Sequence, residues 1–208
     1  MVQIILFLCL ALVATCCNKP HVNEQSSYYE NGTAKPVVTL VPLIDQSHHS
    51  LPWNLSDEFA HEISHHLLKR GNFFLKTPPH IKKKRLIYDP SSVKSHFPKT
   101  EFVVFIELIQ HEEIPLTHEN ENSPAELQVG LQVRVLDIRG AEPLVILEKV
   151  FTDTQYLPKH FTRYNFLPIP WGKEAYSITP FGQVHAKLAR QISGCIENHI
   201  TEIVNHGL

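Results

Sequence analysis

The chain has 208 residues, with 19 Lys+Arg against 21 Asp+Glu, a formal net charge of -2 and only 8 Gly. That near-balance argues against a polyanion-binding class, and the absence of any GxGxxG string or GxxxxGK followed by Ser or Thr excludes the common nucleotide cradles. The charges are unevenly placed: Met1 to Asn18 carries no Asp, Glu, Lys or Arg. An apolar leader therefore precedes a body long enough for one domain with a full core.

Residues 2–15 (VQIILFLCLALVAT) are too few to span a bilayer, which takes about 20 residues. They suit the apolar segment of a secretory signal. Cys16 and Cys17 follow at once. The ending Val13-Ala14-Thr15-Cys16 resembles a bacterial lipoprotein signal. That resemblance implies removal of residues 1–15 and acylation of Cys16, with Cys17 as the alternative acceptor. The other reading is an ordinary cleaved signal followed by a Cys-Cys pair. With Cys9 in the leader and Cys16 acylated, Cys17 and Cys195 remain, which is no disulfide framework.

Residues 18–35 (NKPHVNEQSSYYENGTAK) are polar and aperiodic and read as a flexible tether. Such a segment spans about 25 Å on average. The expected division is thus a signal over 1–15, a tether over 16–36 and one domain over 37–208.

Within the body, residues 37–44 (VVTLVPLI) read as a buried strand interrupted by Pro42. Asn54 or Ser56 caps a helix that runs to about Arg70 and stops at Gly71, with Leu55, Phe59, Ile63, Leu67 and Leu68 on its apolar face. A short strand is expected over 72–76. Residues 77–99 are basic and broken by proline, with a short strand expected over 85–88. Residues 102–110 (FVVFIELIQ) form a second buried strand, and an acidic loop follows over 111–124. Residues 126–139 alternate apolar and polar, turn at 139–142 and pair with a strand over 144–154. An irregular, aromatic stretch leads to Thr179-Pro180, an N-cap and first helical position for a long helix. Its stripe is Val184, Leu188, Ile192, Ile196, Ile200 and Val204, with Cys195 as a small core residue. The expected fold is an α+β two-layer domain: one mostly antiparallel or mixed sheet covered by two amphipathic helices.

The sharpest motif is His61-Glu62-Ile63-Ser64-His65, which fits HExxH. Two His at i and i+4 share a helix face and can share a zinc, with the Glu as base for zinc-bound water. The flanks speak against it. Leu68 and Gly71 stand where a metzincin needs Gly and a third His, and no Glu occurs between Glu62 and Glu101. If Ile63 is buried, His61 and His65 point outward by about 200° of helical rotation. A solvated polar face is the bland reading. His48, His49, His61, His65 and His66 also cluster, which makes an envelope metal-binding role a third reading. No cofactor is implied.

Lys82-Lys83-Lys84-Arg85 is the one basic run and reads as a solvated loop or a contact for anionic head groups. The stretch from Tyr156 to Phe181 holds seven aromatics. Tyr164, Phe166 and Trp171 are its candidate partner-contact residues; the alternative is a loop that covers the sheet.

The strings 37–45 (VVTLVPLID), 55–59 (LSDEF), 67–73 (LLKRGNF) and 101–108 (EFVVFIEL), then a hairpin and a long helix, resemble a fold family. It is shared by the curli-secretion lipoprotein CsgG, the penicillin-binding-protein activator LpoB and the N-terminal domain of TolB. The resemblance covers most of residues 37–206. It implies a non-catalytic envelope protein that acts by binding another envelope protein, not nucleic acid. The expected location is the cell membrane, facing the periplasm or outer envelope through an N-terminal lipid anchor.

Overall fold

The computed structural model describes residues 29–30, 33–48, 51–76, 78, 90–117, 123–162 and 169–206. The chain divides into two units, Met1–Ala34 and Lys35–Leu208. In the first, strands β1 (Tyr29–Glu30) and β2 (Thr33–Ala34) pair antiparallel. The expected strand over 85–88 and the basic run Lys82 to Arg85 lie outside the described residues.

The second unit is built on a six-stranded mixed sheet. Its strands are β3 (Val37–Leu40), β4 (Ile44–Asp45), β5 (Phe74–Lys76), β6 (Phe102–Pro115), β7 (Ala125–Asp137) and β8 (Leu144–Leu157). The order is β5-β3-β6-β7-β8, with β4 also paired to β6. β3 runs parallel to β5 and β6, whereas β6, β7 and β8 form an antiparallel meander. This is the expected α+β class.

Pro42 splits the first expected strand. Lacking an N–H, it cannot continue the ladder. Val41 still donates to the Val104 carbonyl, and pairing resumes at Ile44 opposite Glu107.

Helix α1 (Leu55–Arg70) starts and stops where its sequence says. The Asn54 side chain accepts from the Ser56 N–H at 2.9 Å, and Gly71 takes a left-handed φ of 71°. Leu55, Phe59, Ile63 and Leu67 are buried, but Leu68 is exposed, a correction to the expected stripe. Helix α3 (Pro180–His206) is capped by the Thr179 hydroxyl, which accepts from Gly182 N–H at 3.1 Å. Val184, Leu188, Ile192, Ile196 and Ile200 are buried; Val204 lies at the exposed end.

α1 and α3 cover one sheet face. There Phe102, Val104, Ile106 and Leu108 of β6 join the helix stripes in the main core. Each such fully buried side chain contributes about 1.5–3 kcal/mol. The alternate residues Val103 and Phe105 point the other way. They pack with Val41, Leu136, Ile138, Val93 and Phe97 under a third helix, α2 (Pro90–His96). The sheet thus carries a short helix on its second face in addition to the two expected. β6 also runs five residues past Gln110, so residues 111–115 are strand and not loop.

Candidate functional site

Glu58 sits on the buried stripe of α1, one turn after Leu55, and is 1% exposed. Its carboxylate gathers three donors. The Tyr176 hydroxyl donates to Oε1 at 2.7 Å, and Trp53 Nε1 donates to Oε2 at 2.8 Å. His185 Nδ1 lies 2.8 Å from Oε1 and 2.9 Å from the Tyr176 oxygen. His185 in turn meets His111 through Nε2 to Nε2 contact at 3.0 Å. One proton must sit between those two nitrogens, so one ring donates and the other accepts.

Four separate segments supply this network. Glu58 comes from α1, His111 from β6, His185 from the second turn of α3, and Tyr176 from a short 3-10 helix over Glu174–Ile178. Trp53 lies in the loop before α1, its ring edge-on to Tyr176 with centroids 5.4 Å apart. Phe59 and Phe181 close the apolar walls around the two imidazoles. Gly182 is required here: a Cβ on it would stand 2.2 Å from the Tyr176 carbonyl oxygen.

Burial alone pushes the Glu58 carboxyl upward. The His185 charge and the bonds from His185, Tyr176 and Trp53 outweigh burial and hold it below its ordinary value. Tyr176 is pushed well above the ordinary phenol value by burial, then by the neighbouring Glu58 charge. A carboxylate that stays ionised beside a phenol that stays protonated makes a stable set of donors and acceptor. Glu58, His111 and His185 are each 1% exposed and Tyr176 6%, so the network lies inside the core, with half-buried Trp53 at its rim. It fastens α1, α3, β6 and the 3-10 turn to one another.

A second polar tie joins the last residue of α1 to the middle of α3. Arg70 pairs with Glu197, and Asn72 Nδ2 donates to the other Glu197 oxygen at 2.5 Å.

The HExxH residues stand apart from both. His61 and His65 are exposed on α1, as the helical angle requires, while Glu62 and His66 are half-buried. His61 meets the Trp171 ring edge-on at 5.5 Å, and His65 meets His66 at 5.7 Å. Partial burial pushes His66 below its ordinary value; Glu62 opposes this, and His65, Arg190 and Lys69 add to it. No group of three or more His, Cys, Asp or Glu among the described residues is placed to hold a metal ion.

Of the aromatic stretch, Trp171 is half-buried against the main core, and Tyr176 and Phe181 are buried within it. Tyr164 and Phe166 lie outside the described residues, as do Cys16, Cys17 and His49. Cys195, the expected small core residue, is half-buried and packs against the main core from α3.

The sequence reasoning missed the network. The signal was present: Glu58 and His185 both fall in phase with apolar stripes, where a titratable residue needs buried partners.

The fold is similar to a solved structure described as the hypothetical protein CT253 from Chlamydia trachomatis. Identity is 25%, coverage is 80% of this chain and 98% of that chain, and the TM-score is 0.64. Looser likenesses are to PelC from Paraburkholderia phytofirmans, solved as a dodecamer, and to the lipoprotein GNA1162 from Neisseria meningitidis. They are 11% and 10% identical, with TM-scores of 0.43 and 0.41. Both cover 76% of this chain, and 84% and 99% of their own; at these scores neither bears on function. No curated protein matches the chain. The family model that does match spans residues 24–203, and the chain belongs to that family, described as a family of unknown function (DUF7499).

Proposed function

We propose that this chain is a lipid-anchored envelope protein whose α+β domain works by binding another envelope protein, without catalysis. The observation that carries the reading is the charge-free segment from Met1 to Asn18 and the Cys16-Cys17 pair inside its end. Residues 1–15 serve as a removed signal, Cys16 (or Cys17) takes the acyl chains, and the tether over 16–36 leads to the domain. Each buried CH₂ of an acyl chain adds about 0.8 kcal/mol, so two or more chains hold a soluble domain at a bilayer.

The non-catalytic half of the reading is supported by the network around Glu58. It brings together the residue types that acid–base chemistry uses, yet a substrate has no contact with side chains that are about 1% exposed. The likeness of the strand and helix order to the CsgG, LpoB and TolB fold family supports a binding role.

Metabolic labelling of cells with labelled palmitate tests the anchor. The label is expected in the wild-type chain and lost from the double variant Cys16→Ser/Cys17→Ser. Equal labelling of both, or of neither, would contradict it.

A further inference from the structure

β8 closes one end of the sheet: β7 lies on its inner side, and among the described residues no strand pairs with its outer side. It is 14 residues long, with proline only outside its ends, at Pro143 and Pro158. Its pairing with β7 shifts between Val135 and Leu136, which leaves Leu147 onward as an unbroken run. The Thr154 N–H donates to Asp153 Oδ1 at 3.0 Å; a long, regular edge of this kind otherwise offers a row of N–H and C=O groups to another strand.

The charges along the edge restrict which strand fits. Leu147, Phe151 and Leu157 point to the α1/α3 side, so Lys149, Asp153 and Gln155 lie on that face and Glu148 and Val150 on the other. Lys149 is a cation on the helix-side face, its Nζ 5.0 Å from the Phe151 ring centroid. It would repel a strand that set another cation against it. Asp153 is the one carboxylate of β8 on the same face.

We propose that the outer edge of β8 pairs with β8 of a second copy of this chain, antiparallel, about a two-fold axis through Phe151. This is the register that sets Lys149 opposite Asp153 of the second copy, and symmetry makes the pair twice. Val150 then faces Thr152, Glu148 faces Thr154 and Leu147 faces Gln155, so no like charges stand opposite one another. Glu148 keeps its bond to Arg134 on the other face, and Asp153 keeps Lys187, since a carboxylate accepts several donors. A groove of about 550 Å³ runs between β8 and α3, lined by Phe151, Arg190, Gly194, Cys195 and His199 among others. The self-pairing is independent of the lipid anchor.

The test is sedimentation velocity of the full chain in a detergent matched in density to the buffer. The variants are Lys149→Asp and Asp153→Lys, each checked for folding by its thermal melt. The wild type is expected to be dimeric at about 100 µM, and each variant alone to dimerise at least about tenfold more weakly. An equimolar mixture of the two variants is expected to recover the dimer, because each then supplies the charge the other lacks. A wild type that stays monomeric overturns the proposal and leaves the edge to a strand of another protein. Variants that dimerise like the wild type, or a mixture that recovers nothing, overturn the register.

Discussion

His185 Nδ1 and Glu58 Oε1 stand 2.8 Å apart, across 127 residues of sequence, and both side chains are 1% exposed. The contact joins the first turn of α1 to the second turn of α3. The pairing of Arg70 with Glu197 spans the same separation, and the Ser193 hydroxyl lies 3.3 Å from the Ile63 carbonyl oxygen across 130 residues. α1 is therefore fastened to α3 at both of its own ends, through Glu58 and through Glu197, with apolar packing and the Ser193 contact between.

Glu58→Ala leaves the Trp53, Tyr176 and His185 donors without their acceptor. Removing one member of a buried charged set costs about 3–5 kcal/mol. Glu58→Gln keeps the shape and one acceptor oxygen and is expected to cost less, about 1–3 kcal/mol. Urea unfolding midpoints read both. An alanine variant with the wild-type midpoint would mean that the network does not hold the helices.

Acid should weaken the fold through the same residue. The folded-state value of Glu58 lies below its ordinary 4.5, so its contribution is fully present above pH 4.5. It is lost as the pH falls through the lowered folded value, because the unfolded chain binds the proton first. Wild-type stability is therefore expected to drop below pH 4.5 more steeply than that of Glu58→Gln. Parallel pH profiles of urea midpoints would refute this assignment.

Gly182→Ala is expected to destabilise by about 2–3 kcal/mol, since the new methyl meets the Tyr176 backbone oxygen and not a movable side chain. Gly140→Ala is the control: its nearest neighbour would be the Glu142 oxygen at 3.6 Å, and a change within about 0.5 kcal/mol is expected. Thermal melts of the two variants compare them directly.

The HExxH residues carry the opposite expectation. His61 and His65 are exposed, so the double change to alanine should alter stability by no more than about 0.5 kcal/mol. Chelator-washed protein is expected to carry no zinc by mass spectrometry. Stoichiometric zinc that survives the wash and disappears in the double variant would restore the motif as a metal site.

What the sequence disclosed follows from how local each signal is. The α1 stripe and its Asn54 and Gly71 ends, the Thr179-Pro180 start of α3 and the alternation of β7 all lie within a few residues of one another. α2 was hidden because its apolar anchors are Val93 and, just past its end, Phe97, too few for a periodic pattern. The extension of β6 was hidden by His111, Glu112 and Glu113, which read as polar loop. His111 is buried because His185 meets it from 74 residues away, a fact of tertiary packing that no local pattern carries. Glu58 falls in phase with the α1 stripe, but nothing near it names Tyr176 or His185 as its partners.

The anchor is tested most directly at the mature N-terminus. Mass spectrometry of the N-terminal peptide from membrane-extracted protein is expected to begin at Cys16, or at Cys17, and to carry the mass of attached acyl chains. A peptide that begins elsewhere, or an unmodified cysteine at that position, would contradict a lipid-anchored envelope protein.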